Sequence, residues 1–451
     1  MMLKQCLSSL LALGLLLIHP SGAAETASGT AEWTIMVFMN AKNNLEADAI
    51  ATFRDIASVD STAKVNLVVE MGRPQRHYTS EAEAWSGVLR FLVKKGQKPI
   101  PSAAVADLRN SSGVSDLGSR RALDDFVNWS VDKFPAKKYM LVIWNHGQGW
   151  RFQVADQSKK RIAIPEQLGG QPRSATLAAA SESVPKVGGY RAVSFDEETR
   201  SFLYISDVQE SVGSLAQKLN RKLDVIGFDA GMMAMIETAY AFRGSSTLMI
   251  ASEESEPAAG WNYAAALTPL VANPAISPLE LTNQIVASYK DRYGDFHMTT
   301  LSVIDLTTID AAAAAISALA DEIGKVLEAE RIRIEIARSK LIPYGAGIFT
   351  SIDLVAFLEN YIIAATSNPN TRSYAQFALD ATKRTVLTNY ASAFSAWNTG
   401  SRGIAIYFPA SRYDFDDDFY KQGYVKENKD HVIDFVARER WADFLQCYFR
   451  S

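Results

Sequence analysis

The chain has 451 residues, 48% of them hydrophobic and 21% charged, with a formal net charge of -4 at pH 7. That length is ample for one large core or two, and so mild a charge, without a long basic run, excludes nucleic acid as a partner. Of the two cysteines, Cys6 lies near the start and Cys447 near the end, so once an N-terminal leader is removed no internal disulfide can form and stability must come from burial.

The chain opens with Met1-Met2-Leu3-Lys4, runs through an apolar stretch over 10–18, and reaches small residues at Ser21, Gly22, Ala23 and Ala24. This is the pattern of a secretory signal peptide over 1–24. Its apolar core falls short of the roughly 20 residues a bilayer crossing needs. No later segment is long and apolar enough to anchor the chain, so the expectation is an exported protein, secreted or periplasmic, with no membrane span after signal removal.

Residues 33–39 (WTIMVFM), 65–69 (VNLVV), 139–144 (YMLVIW), 225–228 (VIGF) and 248–251 (LMIA) are continuous apolar runs of strand length. Strands buried on both faces have this composition. Leu123, Phe126, Val127, Val131 and Phe134 are spaced as one helical face that ends toward Pro135. A further helix is expected over about 232–242, between two of the strands. Short apolar strands alternating with helices predict an α/β sandwich with a mostly parallel sheet and helices on both faces. The expected core spans 31–265. Within it, 152–190 carries Gly169-Gly170, Gly188-Gly189, Pro165, Pro172 and Pro185 and reads as a long exposed insertion. Over 266–451 a helical and α/β portion is expected to pack on the core. It begins with an amphipathic helix over 309–341, marked by Ile316, Leu319, Ile323, Val326 and Leu327. The run 403–409 (GIAIYFP) reads as a strand that either rejoins the sheet or belongs to a smaller C-terminal layer.

His146 follows a buried strand in Trp144-Asn-His-Gly-Gln-Gly-Trp150. A histidine at the C-terminal edge of a parallel strand, next to glycines that admit a ligand backbone, suits general-base work; it equally suits a hydrogen-bonding cap of the strand end. Asp229-Ala-Gly231 also ends a buried strand. Two adjacent parallel strands that end together bring their tips within roughly 5 Å, so a thiol at 231 could meet the imidazole, which would hold it as thiolate. The positive end of a following helix would assist. Glycine supplies no such group and, taken alone, reads as a strand-to-helix turn.

In combination the stretches 33–46 (WTIMVFMNAKNNLE), 139–150 (YMLVIWNHGQGW), 224–240 (DVIGFDAGMMAMIETAY), 251–263 (ASEESEPAAGWNY) and 403–409 resemble the clostripain family of cysteine peptidases. The resemblance implies a caspase-like three-layer α/β/α sandwich with a smaller C-terminal α/β part. It also implies cleavage after arginine or lysine in peptide or protein substrates. His146 matches the family's catalytic histidine, and Gly231 stands where the family has its nucleophilic cysteine, so the resemblance implies an inactive scaffold. Asp229 matches the acidic residue that pairs with the substrate cation; its alternative role is to hydrogen-bond turn amides. A second acid that often precedes Gly260-Trp261 is absent, Ala259 standing there. Because many relatives mature by cutting the loop after the histidine, Lys159-Lys160-Arg161 is the matching processing site, or else a solvated loop.

Three explanations of Gly231 follow. The chain is a natural pseudopeptidase that binds basic peptides or a partner protein, an active peptidase inactivated by design, or a structural secreted domain with a disused cleft. Other chemistries lack their motifs: there is no H-E-x-x-H, G-x-S-x-G, phosphate loop or dinucleotide fingerprint. No metal site is expected and no cofactor is required. Calcium serves some relatives, but Asp414, Asp416, Asp417 and Asp418 do not have EF-hand spacing. Cys447, among large apolar neighbours, is expected to be a buried, inert thiol in a packed terminal helix.

Overall fold

Side chains that alternate between two apolar environments explain why the central runs become strands buried on both sides. Along the first strand Trp33, Ile35, Val37 and Met39 enter one hydrophobic core, whereas Met36 and Phe38 enter the other. The computed structural model describes residues 30–80, 84–111, 113–151, 193–295, 297–345, 350–364, 368–416, 423–426 and 431–450. The expected signal peptide over 1–24, the insertion over 152–190 with Lys159, Lys160 and Arg161, and Asp417 and Asp418 lie outside the described residues.

The strands are β1 (Ala31–Asn40), β2 (Val65–Arg73), β3 (Gly87–Leu92), β4 (Ala106–Asp107), β5 (Ala136–Trp144), β6 (Val193–Asp196), β7 (Ser201–Leu203), β8 (Leu223–Asp229), β9 (Ser246–Ala251), β10 (Thr300–Asp305), β11 (Ser351–Asp353), β12 (Val386–Ala391) and β13 (Ala405–Tyr407). Nine of them form one sheet in the order β12-β10-β9-β8-β5-β1-β2-β3-β4. The five central strands, β9 to β2 in that order, pair in parallel, and antiparallel strands extend both edges.

Helices α1 (Glu46–Ile56), α2 (Arg120–Lys133), α3 (Ile205–Leu219), α4 (Ile236–Phe242), α5 (Tyr263–Ala272), α6 (Pro278–Tyr293), α7 (Ile309–Lys325), α8 (Leu327–Ser339), α9 (Leu354–Ile363), α10 (Pro369–Thr385), α11 (Ala393–Thr399), α12 (Asp434–Arg438) and α13 (Trp441–Arg450) complete the fold. Buried residues of α1, α5 and α6 belong to the core under one face of the sheet. Those of α2, α3, α4, α7, α8, α9, α10, α12 and α13 belong to the core under the other. This is the three-layer α/β/α sandwich with a mostly parallel sheet that the sequence leads one to expect.

Helix α2 begins where the Ser119 side chain accepts from Ala122 N and stops before Pro135, which has no N–H to continue it. Helix α6 begins with a capping box between Ser277 and Glu280.

Three expectations are corrected, and the two places left open for the run 403–409 are resolved in favour of a separate smaller layer. The helix expected from 232 starts at Ile236; residues 232–235 instead form a turn in which Met232 takes a left-handed φ of 61° and Met235 bridges Ala405. The amphipathic helix expected over 309–341 breaks at Val326 into α7 and α8, where Gly324 and a β-branched residue weaken helix propensity. The run 403–409 does not rejoin the large sheet: β13 pairs with β11 in a separate two-stranded sheet, while β10 and β12, unrecognised in the sequence, do join it. Finally, Cys447 is exposed. Trp441, Phe444, Leu445 and Tyr448 face the core at helical spacing, which turns position 447 outward.

No helix among the described residues is long and apolar enough to cross a membrane.

Candidate active site

In open sheets of this kind ligands collect at the C-terminal ends of the parallel strands. Here the ends of β1, β5, β8 and β9 present four loops on one rim: 40–46, 145–151, 230–235 and 252–256. Strands β5 and β8 are adjacent and parallel, with Trp144 opposite Asp229, and Asn145 N donates to Asp229 O across 3.4 Å. His146 and Gly231 are therefore each two residues beyond a paired position on neighbouring strands. Their loops touch: a Cβ added to Gly147 would lie 2.5 Å from Gly231 O, so this crossing admits glycine alone.

The histidine is held by an amide network. Its Nε2 lies 3.0 Å from Asn44 Oδ1; since an amide oxygen only accepts, this contact favours the tautomer with its proton on Nε2. His146 is nearly buried at 6% exposure, and its backbone N–H donates to Asn145 Oδ1. Asn145 Oδ1 also accepts from Phe195 N at 3.3 Å, and its amide nitrogen donates to Asn40 O. Asn43 donates to Phe195 O at 2.7 Å and Asn40 to Ser194 O at 3.2 Å. Asn44 thus orients the imidazole, while Asn40, Asn43 and Asn145 stitch β1 and β5 to β6. Beside them Glu46 is fully buried, where it accepts from Arg73 Nε at 2.8 Å and Tyr78 N at 2.6 Å and meets His77 Nδ1 at 2.7 Å. Asn44 and Asn145 received no role from the sequence, although both lie inside the matching stretches; nothing in one sequence separates them from other loop asparagines.

On the other side of the rim Asp229 is fully buried. Its Oδ2 accepts from Tyr263 Oη at 3.0 Å and Trp261 N at 3.4 Å, which fixes where its charge sits. Gly231 has close neighbours: an ideal Cβ on it would lie 2.9 Å from Ser255 Cα, 3.0 Å from Glu256 N and 3.4 Å from Glu254 O. The helix start that was expected to favour a thiolate there begins five residues later, at Ile236.

The loop after β9 is rich in buried acids. Glu254 Oε1 accepts from Ser255 N at 2.8 Å and Gly345 N at 2.9 Å, yet burial pushes its carboxyl up to about 7. Glu253 accepts from Tyr344 Oη at 2.9 Å and Gly403 N at 3.0 Å. Burial and the neighbouring Asp353 carboxyl raise it well above the usual range. Asp353 is itself raised by burial to about 6. Behind the rim, a cavity of about 10 Å³, room for one water, is lined in part by Gln148, Arg151, Met232, Glu253, Tyr344 and Ser351. Among the described residues no group of three or more His, Cys, Asp or Glu side chains is placed to hold a metal ion.

The sequence profile of the clostripain family, Peptidase_C11, matches residues 37–171 and 180–448. Clostripain of Hathewaya histolytica is 21% identical over 227 residues, which are 47% of this chain and 36% of that relative; the match spans about a third of the curated relative's length. A secreted C11 cysteine protease from Bacteroides thetaiotaomicron, solved in complex with an irreversible peptide inhibitor, is similar with a TM-score of 0.53 and 16% identity, over 92% of this chain and 100% of that one. An inactive zymogen C11 protease from Parabacteroides distasonis is similar with a TM-score of 0.56 and 17% identity, over 87% of this chain and 96% of that one.

Proposed function

Since the chain belongs to the clostripain family of cysteine peptidases, we propose that it retains the family's peptide-recognition scaffold without its nucleophile, and that it binds peptides carrying arginine or lysine without cutting them. The observation that carries this reading is Gly231, in register with His146 at the rim of adjacent parallel strands. An imidazole oriented by Asn44 can accept a proton, but acyl transfer of this class needs a thiolate to form the covalent intermediate. No such group is present at 231.

Asp229 is the proposed counter-charge for the basic side chain. Tyr263 and Trp261 orient its carboxylate, and a buried, oriented carboxylate pairs strongly with a guanidinium or ammonium group once the latter is also removed from water. Recognition of this kind needs no cofactor. The N-terminal pattern over 1–24 supports export, in keeping with the secreted relative from Bacteroides. Lys159-Lys160-Arg161 is then a site for another basic-specific peptidase, since this chain has no means of cutting itself.

The test is calorimetric titration of a non-cleavable arginyl peptide, with an arginyl fluorogenic peptide under reducing conditions as the activity control. Binding without turnover is expected, with Asp229→Asn weakening it by about tenfold or more, roughly 1.4 kcal/mol. Turnover by the unaltered chain would contradict the reading, as would binding that is indifferent to Asp229.

A further inference from the structure

Any L-residue other than glycine at position 231 must begin with a Cβ, and the three atoms nearest to it would all be main chain: Ser255 Cα at 2.9 Å, Glu256 N at 3.0 Å and Glu254 O at 3.4 Å. Carbon pairs are most favourable near 3.5–4.0 Å and repel steeply at shorter range. No rotamer change relieves such a clash, because none of the three atoms is the end of a side chain.

We propose that the segment 252–256 is a plug: it occupies the nucleophile slot with backbone, so that Gly231 is a packing requirement of this chain and a thiol put back at 231 does not rebuild the dyad. This rests on the reading of the site given above and deepens it.

The plug is fastened from several directions. Glu254 O accepts from Met232 N at 3.0 Å and from Ser252 Oγ at 2.8 Å. Glu254 N donates to Thr300 Oγ1 on β10 at 3.0 Å, and the Glu254 carboxylate takes the N–H groups of Ser255 and Gly345. Ala234 N donates to Ser252 O at 2.9 Å. The next acid inward, Glu253, is tied to Tyr344 and Gly403 of the C-terminal portion. Moving the segment by the several tenths of an ångström that a Cβ demands would disturb bonds to β10, to the 232–235 turn and to the C-terminal portion together.

The same contacts bear on how the glycine arose. Truncating a buried side chain leaves a cavity, because the surroundings relax only in part. Replacement of a cysteine by design would thus leave a thiol-sized hole beside His146, whereas here main chain fills the place.

Two variants test the plug. In G231C, labelling by iodoacetamide mapped by mass spectrometry is expected at least about tenfold more slowly at position 231 than at exposed Cys447, with no turnover of an arginyl fluorogenic peptide. In G231A, which adds a single carbon, the melting temperature is expected to fall by about 1–3 °C. Failure of both variants to fold would be the extreme form of the same result. Labelling at 231 as fast as at Cys447, turnover by G231C, or an unchanged melting temperature for G231A would overturn the proposal. These outcomes are separable from failure of the binding reading, which is decided on the unaltered chain: arginyl-peptide binding there, together with a fast-reacting thiol in G231C, would remove the plug alone.

Discussion

The two sides of the rim have had different fates. Around β1 and β5 the histidine keeps a hydrogen-bond partner for its ring and another for its backbone, and the start of α1 carries a buried ion pair between Glu46 and Arg73. Around β8 and β9 position 231 is glycine, and the backbone of 254–256 packs closely against it. The difference follows from what each group does for the fold. Asn40, Asn43 and Asn145 satisfy buried backbone groups of β6 and of one another, so their loss would leave polar atoms unpaired whether or not a reaction takes place. A nucleophile at 231 supports no neighbouring element and can be lost without such a cost. The asparagine network beside His146 is therefore part of the architecture of the rim, whatever chemistry the rim supports.

The largest effect should come from breaking the histidine side at the ion pair that opens α1. Glu46→Ala leaves Arg73, 2% exposed, without the carboxylate 2.8 Å from its Nε. Removing one partner of a buried pair costs about 3–5 kcal/mol. Urea denaturation should show a loss of that order; a loss below about 1 kcal/mol would mean that the guanidinium finds water or another acid and that this side is less rigid than its hydrogen bonds suggest.

Next in size is a pH effect on the opposite side. Glu254 begins near 4.5 in an unfolded chain and is raised to about 7 when folded. Between those values the folded state holds a proton that the unfolded state has shed, so this residue's contribution is most favourable below 4.5 and is lost as pH rises through about 7, by roughly 3 kcal/mol in all. Glu70 and Glu237, also raised to about 7 by burial, slope the same way. The measurement is therefore the difference between parent and Glu254→Gln in unfolding free energy from pH 5 to pH 8. The variant should show the shallower decline; parallel curves would show that Glu254 does not hold its proton in the folded state.

Asn145→Ala should cost about 2 kcal/mol by the same denaturation assay, since it leaves Asn40 O and the N–H groups of His146 and Phe195 without their side-chain partner. A loss confined to a few tenths would show that water replaces the amide, and that the network is looser than the nucleophile side it is being compared with.

Much of this was legible in the sequence because burial on both faces leaves a plain signature. The apolar runs at β1, β2, β5, β8 and β9 are the five parallel strands, and their order of appearance with intervening helices is enough to predict the sandwich. Strands β10 and β12 escaped notice for a physical reason: Thr300, Ser302 and Thr388 interrupt their apolar character, and β12 is a half-exposed edge, so neither carries the continuous run that marks a central strand. Cys447 is exposed despite its aromatic neighbours in sequence, because adjacent residues on a helix point to different faces. At the site, His146 and position 231 could be named from motifs. The turn at 232–235, the ring's partner Asn44 and the closing of 254–256 over Gly231 depend on contacts distant in the chain, which no local pattern encodes.

The smallest effect tests whether the two sides are coupled. Asn44→Ala removes the acceptor for His146 Nε2–H at a half-buried position, where water can take over in part, so the stability cost should be near 1 kcal/mol. The informative readout is the ring itself. With Asn44 present the neutral imidazole is held with its proton on Nε2, and nitrogen NMR should show that tautomer predominating; without it the two tautomers should approach the mixture of an unconstrained ring. The shift should leave the 254–256 side untouched, because the bonds by which Glu254 fastens that segment run to Ser252, Thr300, Ser255 and Gly345. If instead Asn44→Ala also speeds iodoacetamide labelling of G231C, the imidazole helps to hold the segment down, and the two sides are one cooperative unit in which the surviving histidine has become a structural residue of the closed slot.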